Sequence, residues 1–294
     1  MKTPNSNIFL CALRALRVLR GKYVFFVLIL PLPTLASPWA DTVYNYSPGA
    51  TQESPRGSGN FFTDPSQALG PVSPLASDTN PSTAVVQLGQ AGSITLGFNS
   101  PILNNLPDPS SPTNPNGVDF TIFGNSFEEG FAGSGTYYRE PGFVEVARKN
   151  PDGTPGPFYL LLPAKLPADM IGGVDTGPGT TLLAGYADEH PVNASGDPTL
   201  PPDNPLSAGG DAFSLESAVL ESSPGVPALL NGQPQFISLP SVDFIRITDV
   251  LPNDGDSITG FYTTDIDAVI DLPGTVPEPT LLLLLPSLML VRRR

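Results

Sequence analysis

An acidic stretch near the end of the chain contains the kinds of side chain that bind calcium in proteins. Calcium takes six to eight oxygen ligands from carboxylates, amides and backbone carbonyls. Six side chains within 19 residues could supply such oxygens: Asp249, Asn253, Asp254, Asp256, Asp265 and Asp267. The spacing does not fit an EF-hand, which needs alternating ligands closed by a glutamate. Two interpretations stay open: a hairpin turned by Asn, Asp and Gly, or the same hairpin with a bound calcium ion.

Asp267 needs a partner under either interpretation. It lies in the apolar sequence IDAVI, where burial of an unpaired carboxylate is costly. Arg246, on the preceding predicted strand, is one candidate partner, and a calcium ion is the other.

Residues for catalysis are sparse. The chain has one histidine, His190, in a loop rich in Pro and Gly, and it has no G-x-S-x-G motif. We therefore predict a surface-loop histidine rather than a member of a catalytic triad. A single histidine also excludes a two-histidine zinc site, and a site dominated by carboxylates would favour harder cations such as calcium. The one cysteine, Cys11, lies near the N-terminus, so the rest of the chain can form neither disulfides nor cysteine-zinc sites.

Carboxylate pairs of the kind used by glycoside hydrolases need separate consideration. The candidates that cluster along the chain are Glu128, Glu129, Glu140 and Glu145. Because 27 acidic residues lie between positions 41 and 276, chance clusters are expected. The sequence therefore predicts a protein that is not an enzyme.

Charge is separated along the chain. Residues 1–40 contain five basic residues and no acidic one, and the chain ends in three arginines. Between them, residues 41–276 contain 27 acidic and six basic residues, a net charge of −21. A surface this negative repels nucleic acid, so we expect no nucleic-acid partner. The charge suits solubility or the binding of cations.

Residues 1–36 have the three parts of a secretory signal peptide. A positive region from Arg14 to Lys22 precedes an apolar core from Tyr23 to Leu30. Small residues then predict cleavage after Ala36, with Ala40 as the alternative. Two prolines interrupt the apolar run and argue against an uncleaved membrane anchor. The sequence therefore predicts export across the inner membrane.

The last 20 residues, 275–294, combine a short motif, an apolar run and a basic end. The apolar run, residues 280–291, would form a helix of about 18 Å, shorter than the ~30 Å hydrocarbon core of a bilayer. Such a short hydrophobic helix suits transient contact with a membrane, with the arginines on the cytoplasmic side. The motif and the basic end consist of Val276, Pro277, Glu278, Pro279, Arg292, Arg293 and Arg294.

These ordered features closely resemble the PEP-CTERM sorting signal of exported bacterial proteins. The resemblance covers residues 276–294 and is strengthened by the N-terminal signal. It implies a transient partner, the membrane-embedded exosortase, which is thought to cut near Pro-Glu-Pro and pass the protein to the cell surface or extracellular matrix. It also implies membrane contact only through this segment, before cleavage. Pro286 departs from the pattern by interrupting the apolar run.

Residues 37–274, between the two signals, are predicted to form one all-β domain. The chain has 29 Gly and 36 Pro, which separate short runs of Val, Ile, Phe and Thr. Such a pattern is typical of strands joined by turns, here roughly eight to ten of them in a single β-sandwich or jelly roll. The predicted strands are 83–88, 92–98, 117–125, 142–148, 157–163, 235–240, 242–249 and 265–271.

Other local features follow from the same patterns. In the strand at 92–98, Ile94, Leu96 and Phe98 alternate with small or polar residues and should face the core. The continuous apolar run at 117–125 predicts a central strand. We expect loops over residues 41–80, a long irregular insertion over about 170–212, and one short helix near 213–222.

The order of motifs in this body also resembles a poorly characterised group of bacterial cell-surface proteins. The matching blocks are Gly92–Ile102, Phe120–Phe127, Phe143–Val146, Gly209–Leu215 and Ile245–Val269. The resemblance implies a galactose-binding-like jelly roll and no known activity. Together with the two signals, it predicts a structural or adhesive protein of the envelope or exopolysaccharide. A calcium-dependent carbohydrate-binding module is the alternative, and a glycosidase-like enzyme is the third hypothesis.

Overall fold

The computed structural model covers most of the predicted β domain. The residues that it describes are 37–50, 62–73, 84–128, 137–138, 140–162, 186–193, 199–223, 225–249 and 263–272. The predicted signal peptide, the sorting signal and three predicted calcium ligands, Asn253, Asp254 and Asp256, lie outside the described residues. Within the described ranges, no helix is long and apolar enough to cross a membrane.

Nearly all regular structure in these ranges is β-strand, which confirms the all-β prediction. The helices that the described residues form are two short 3-10 turns, Pro65–Ala68 and Leu215–Ser217. The strands are β1 (Thr42–Ser47), β2 (Val86–Gln87), β3 (Ser93–Leu103), β4 (Phe120–Phe123), β5 (Phe127–Glu128), β6 (Tyr137–Tyr138), β7 (Gly142–Lys149), β8 (Pro155–Leu161), β9 (Asp211–Phe213), β10 (Ala218–Val219), β11 (Glu221–Ser223), β12 (Val226–Pro227), β13 (Leu229–Leu230), β14 (Gln233–Pro234), β15 (Ser241–Asp249), β16 (Asp265–Ile266) and β17 (Ala268–Asp271).

The larger sheet has six strands in the order β1-β3-β15-β7-β8-β10, and every neighbouring pair is antiparallel. The predicted alternation in β3 is confirmed, since Ile94 and Leu96 are fully buried. The register places Ile245 opposite Leu96 and Ile247 opposite Val144. One face of the three central strands is therefore continuously apolar.

A smaller antiparallel sheet has the order β17-β4-β9. Its middle strand, β4, is the predicted central strand, and all four of its residues are buried. Phe120 stacks on Phe213 of β9 with ring centroids 5.1 Å apart, and Ile122 lies opposite Val269 of β17. Residues of both sheets belong to one hydrophobic core. The two sheets therefore pack face to face as the layers of a sandwich.

The beginning and the end of the described body pair with each other. The N–H of Ala40 donates to the carbonyl of Val269 over 2.9 Å, and the N–H of Asp271 donates to the carbonyl of Pro38 over 2.7 Å. The segment before β1 therefore completes the outer edge of the smaller sheet beside β17.

Three local predictions were wrong. Residues 41–80 were expected to be loops, but β1 pairs with β3 at the edge of the larger sheet. This tertiary contact could not be predicted from the local pattern, because the strand is only half buried. The predicted helix near 213–222 is a three-residue 3-10 turn between β9 and β10, where the Ser214 hydroxyl accepts the N–H of Glu216 over 3.3 Å. The predicted strand at 235–240 contains only an isolated bridge from Phe236 to Val219 and no continuous strand.

Candidate functional site

A buried aspartate connects three loop segments at the end of β4. One carboxylate oxygen of Asp188, Oδ1, accepts the N–H of Asn125 over 2.7 Å and that of Ser126 over 2.8 Å. The other oxygen, Oδ2, accepts the N–H of Asp265 over 3.0 Å. Gly124 is required beside it, because a Cβ there would lie 2.2 Å from Asp188 Oδ1. We call the region where these segments meet the loop junction, and it comprises residues 124–126, 186–193, 209–211 and 263–265.

The environment of Asp188 disfavours its charged form. Burial raises the pKa of Asp188 to about 7, and the nearby charge of Asp211 acts in the same direction, against the hydrogen bonds that the carboxylate accepts. Lys and Arg do not contribute: the three that the described ranges contain, Arg148, Lys149 and Arg246, all lie on β7 or β15.

His190 lies in the loop junction beside a second buried aspartate. Its Nδ1 is 2.6 Å from Oδ1 of Asp211, whose side chain is fully buried, and the histidine side chain is only 22% exposed. The other oxygen of Asp211 accepts the N–H of Glu189 over 3.0 Å. The prediction of an unsupported surface-loop histidine was therefore wrong, because β9 supplies a rigid carboxylate partner.

Strand pairing and glycine geometry fix the position of Asp211. It is the first residue of β9 and lies opposite Ile122 of β4. The preceding Gly210 has a positive φ of 71°, and a Cβ there would lie 2.6 Å from the ring of Phe123. Only glycine fits so close to the Phe123 ring with this backbone conformation. The chain can therefore turn sharply into β9, which places Asp211 beside His190.

Three side chains of the loop junction could together hold a metal ion. Glu189, His190 and Asp211 each offer one ligand atom, and these atoms all lie within 4.8 Å of one another. Sequence analysis missed this cluster, because 21 residues separate Asp211 from His190. The signals that could have revealed it are the adjacent acid and histidine in Asp188-Glu189-His190 and the Gly-Gly-Asp that opens β9.

Tyr186 begins the loop segment that carries Glu189 and His190. The side chain is 2% exposed, and its hydroxyl has no hydrogen-bond partner among the described residues. Its ring packs against Phe143 with centroids 5.6 Å apart. Burial, together with the charge of Glu189, raises the pKa of Tyr186 to about 12. A buried hydroxyl without a partner is rare in proteins and often indicates a missing water or ligand.

The three predicted calcium ligands within the described ranges bind different partners. Asp249 accepts the N–H of Ala91 over 3.2 Å and the N–H of Thr264 over 2.9 Å. Asp265 belongs to the loop junction, where its carboxylate accepts a hydrogen bond from the side-chain amide of Asn125 over 3.3 Å.

Asp267, the third of these ligands, has a different partner again. It accepts the N–H of Ser73 over 2.8 Å. Burial raises the pKa of Asp249 to about 6 and that of Asp267 to about 7. The suggestion that Arg246 pairs with Asp267 was wrong, since Arg246 pairs with Glu145 on β7. Calcium binding by residues 249–267 stays a prediction.

Two of the carboxylates considered for glycoside hydrolysis, Glu140 and Glu145, lie in structural contacts. Glu145 is fully buried and forms a two-point ion pair with Arg246. Glu140 is buried and accepts the N–H of Thr263 over 3.2 Å. Glu128 belongs to β5, and Glu129 lies outside the described residues.

Comparison with known protein families finds no match to this chain. A search of curated proteins finds no match either. The chemistry of the loop junction is therefore inferred from its own residues, and the two resemblances noted in the sequence stay predictions.

Proposed function

We propose that this protein is exported, processed at both ends, and retained at the cell surface or in the extracellular matrix, where its β-sandwich has a structural or adhesive role. The supporting observation is the pairing of residues 38–40 with residues 269–271. The predicted cleavage after Ala36 and the sorting motif at 276–279 fall just outside this pairing. Cleavage at both places would remove none of the described strands.

The charge of the domain agrees with this role. Residues 41–276 carry a net charge of −21, which keeps an exported protein soluble and repels nucleic acid. Polysaccharide of the matrix is the partner that the resemblances imply, and the exosortase is the transient one.

A binding or structural role is better supported than glycoside hydrolysis. That reaction needs one carboxyl group kept as an acid and another as a free carboxylate on either side of a cleft. Glu145 is instead held by Arg246 within the sheet, and Glu140 accepts a backbone N–H. We therefore propose that the protein is not an enzyme.

The experiment is to express the full chain in a bacterium that has an exosortase, separate the cell fractions, and measure the intact mass of the protein. The wild type should reach the surface or the medium without residues 1–36 and without Arg292–Arg294. Replacement of Pro277, Glu278 and Pro279 by Ala should leave the protein in the inner membrane. The matched control replaces Pro273, Gly274 and Thr275 by Ala and should be sorted normally.

Mature surface protein that still carries the three arginines would overturn the proposal. Normal sorting of the variant without Pro-Glu-Pro would also overturn it, because the motif would then have no role.

A further inference from the structure

We propose that Glu189, His190 and Asp211 form a binding site for a divalent transition-metal ion of the zinc or manganese class. The ligand atoms of the three side chains already lie within 4.8 Å of one another. One imidazole nitrogen and two carboxylates are a common ligand set for such ions, and the remaining coordination positions can be filled by water or by a bound molecule.

The ligands are held by the fold before any ion binds. Asp211 belongs to β9, which is paired with β4. The loop that carries Glu189 and His190 is attached to the start of β9, since Val192 bridges Gly209 and the N–H of Gly210 donates to the carbonyl of Pro191 over 3.0 Å. Binding would therefore need little ordering of the chain, which favours affinity.

The position of His190 next to Asp211 suits a metal ligand. At 2.6 Å, Nδ1 of His190 and Oδ1 of Asp211 share a hydrogen. A metal ion bound between them would take the place of that hydrogen and release a proton. The same geometry would also fit an ion pair with a purely structural role. A second observation, outside the pair, is therefore needed to favour a metal site.

Tyr186 supplies that observation. Its hydroxyl is buried, it has no hydrogen-bond partner among the described residues, and the carboxylate of Glu189 acts on it electrostatically. A water molecule bound to the metal ion would give this hydroxyl a partner in the cluster. Buried polar groups nearly always have such a partner, and a structural ion pair between His190 and Asp211 provides none.

The charge of the loop junction favours a cation. Asp188 and Asp211 are both fully buried, both accept backbone N–H groups, and neither forms an ion pair with a Lys or Arg among the described residues. Because imidazole is a poor ligand for calcium and magnesium, these ions should bind much more weakly than zinc or manganese.

The test uses the full chain, purified without a polyhistidine tag and freed of metal by a chelator. Isothermal titration with zinc and manganese should show one site, with calcium and magnesium binding at least about tenfold more weakly. His190→Ala and Glu189→Gln should each weaken zinc binding by at least about tenfold. Asp203→Asn, which removes an exposed carboxylate outside the cluster, should bind zinc like the wild type.

A second measurement needs no variant. The protein has one histidine, so its imidazole signals in a nitrogen-proton NMR spectrum can come only from His190. Added zinc should shift them in a one-to-one titration. Unchanged imidazole signals, equal zinc binding by wild type and His190→Ala, or calcium binding as tight as zinc binding would each overturn the proposal and leave His190 and Asp211 as a structural ion pair.

Discussion

Two clusters of buried carboxylates in this domain are stabilised in different ways. On the larger sheet, Glu145 of β7 pairs with Arg246 of β15 through two hydrogen bonds. The guanidinium carbon also lies 3.9 Å from the ring centroid of Phe158, and Glu221 lies 3.8 Å from the same guanidinium. In the loop junction, Asp188 and Asp211 instead accept backbone N–H groups, and Asp211 also contacts His190.

The difference follows from where the chain places its own cations. On the larger sheet the guanidinium of Arg246 neutralises Glu145. Burial, then the hydrogen bond and charge of Glu145, raise the pKa of Glu221, on the neighbouring strand β11, to about 8. In the loop junction the described chain supplies no Lys or Arg. The first cluster therefore contains a cation from the chain itself, whereas in the second the described residues place only His190 beside a carboxylate.

Removal of the guanidinium should have the largest effect. Arg246→Met leaves Glu145 buried without its counter-charge and should lower the free energy of unfolding by about 3–5 kcal/mol, measured by urea denaturation. Lys149→Ala is the control, because the pair of Lys149 with Asp243 is long, 3.9 Å, and the Lys149 side chain is exposed; its effect should stay below about 1 kcal/mol.

A double variant sharpens this prediction. Arg246→Met with Glu145→Leu removes both charges and should recover much of the lost stability, since buried ion pairs can often be replaced by apolar residues. If Arg246→Met alone were as stable as the wild type, the larger-sheet cluster would not depend on its guanidinium.

Loss of the central acceptor of the loop junction should have a smaller effect. Asp188→Ala leaves the N–H groups of Asn125, Ser126 and Asp265 without their acceptor, so we expect a loss of about 2 kcal/mol. Asp108→Ala is a matched control, because that carboxylate also accepts a backbone N–H, from Ser110, but at the exposed surface. Equal effects of the two substitutions in urea denaturation would mean that burial of Asp188 adds nothing.

Calcium should act elsewhere than zinc, and more weakly. If residues 249–267 bind calcium with a Kd of about 10⁻⁴–10⁻³ M, a tenfold excess over Kd would stabilise the fold by about 1.4 kcal/mol, a few degrees in Tm. Asp254→Asn with Asp256→Asn should abolish this shift in thermal unfolding and leave zinc binding unchanged. An equal calcium shift in wild type and variant would indicate screening of the acidic surface only.

A partly buried carboxylate at the end of β17, Asp271, gives the smallest expected effect. Burial raises the pKa of Asp271 to about 7, against about 3.9 in an unfolded chain. Between these pH values the folded state holds more protons, so the free energy of unfolding falls as the pH rises. Asp271→Asn should therefore stabilise the protein at pH 8 by about 1 kcal/mol, a small figure because the side chain is partly exposed.

The pH dependence supplies the check. At pH 4 the substitution should change Tm little, because the carboxyl is then protonated in the folded state. Asp152→Asn is the control, because hydrogen bonds from Thr154 lower the pKa of that exposed carboxyl, so this substitution should not stabilise the protein at pH 8. Stabilisation by Asp271→Asn that is equal at both pH values would contradict a raised pKa.

Local pattern was enough to predict the fold class. Alternation of Ile94 and Leu96 with small and polar residues indicated a half-buried strand, and the continuous apolar run at Phe120–Phe123 indicated a central one; both are confirmed. The edge strand β1 was missed, because its side chains are only partly buried and its stability comes from pairing with β3.

The partners of individual carboxylates could not be predicted in the same way. Arg246 was one of two candidate partners for Asp267, because it lies on the preceding predicted strand, but strand register places Arg246 opposite Glu145, 101 residues away. A register is set by the packing of whole strands, and a shift of one residue would turn Arg246 to the other face of the sheet.

The sequence by itself determined that this chain forms short antiparallel strands around an apolar core, because alternation and turn residues act over a few neighbouring positions. Only the tertiary structure decided that His190 meets Asp211. That contact needs β9 to pair with β4. It also needs Gly210, which lets the chain turn close to the ring of Phe123. Each of these steps joins segments far apart in the sequence, so the chemistry of the loop junction arises only when the sandwich has closed.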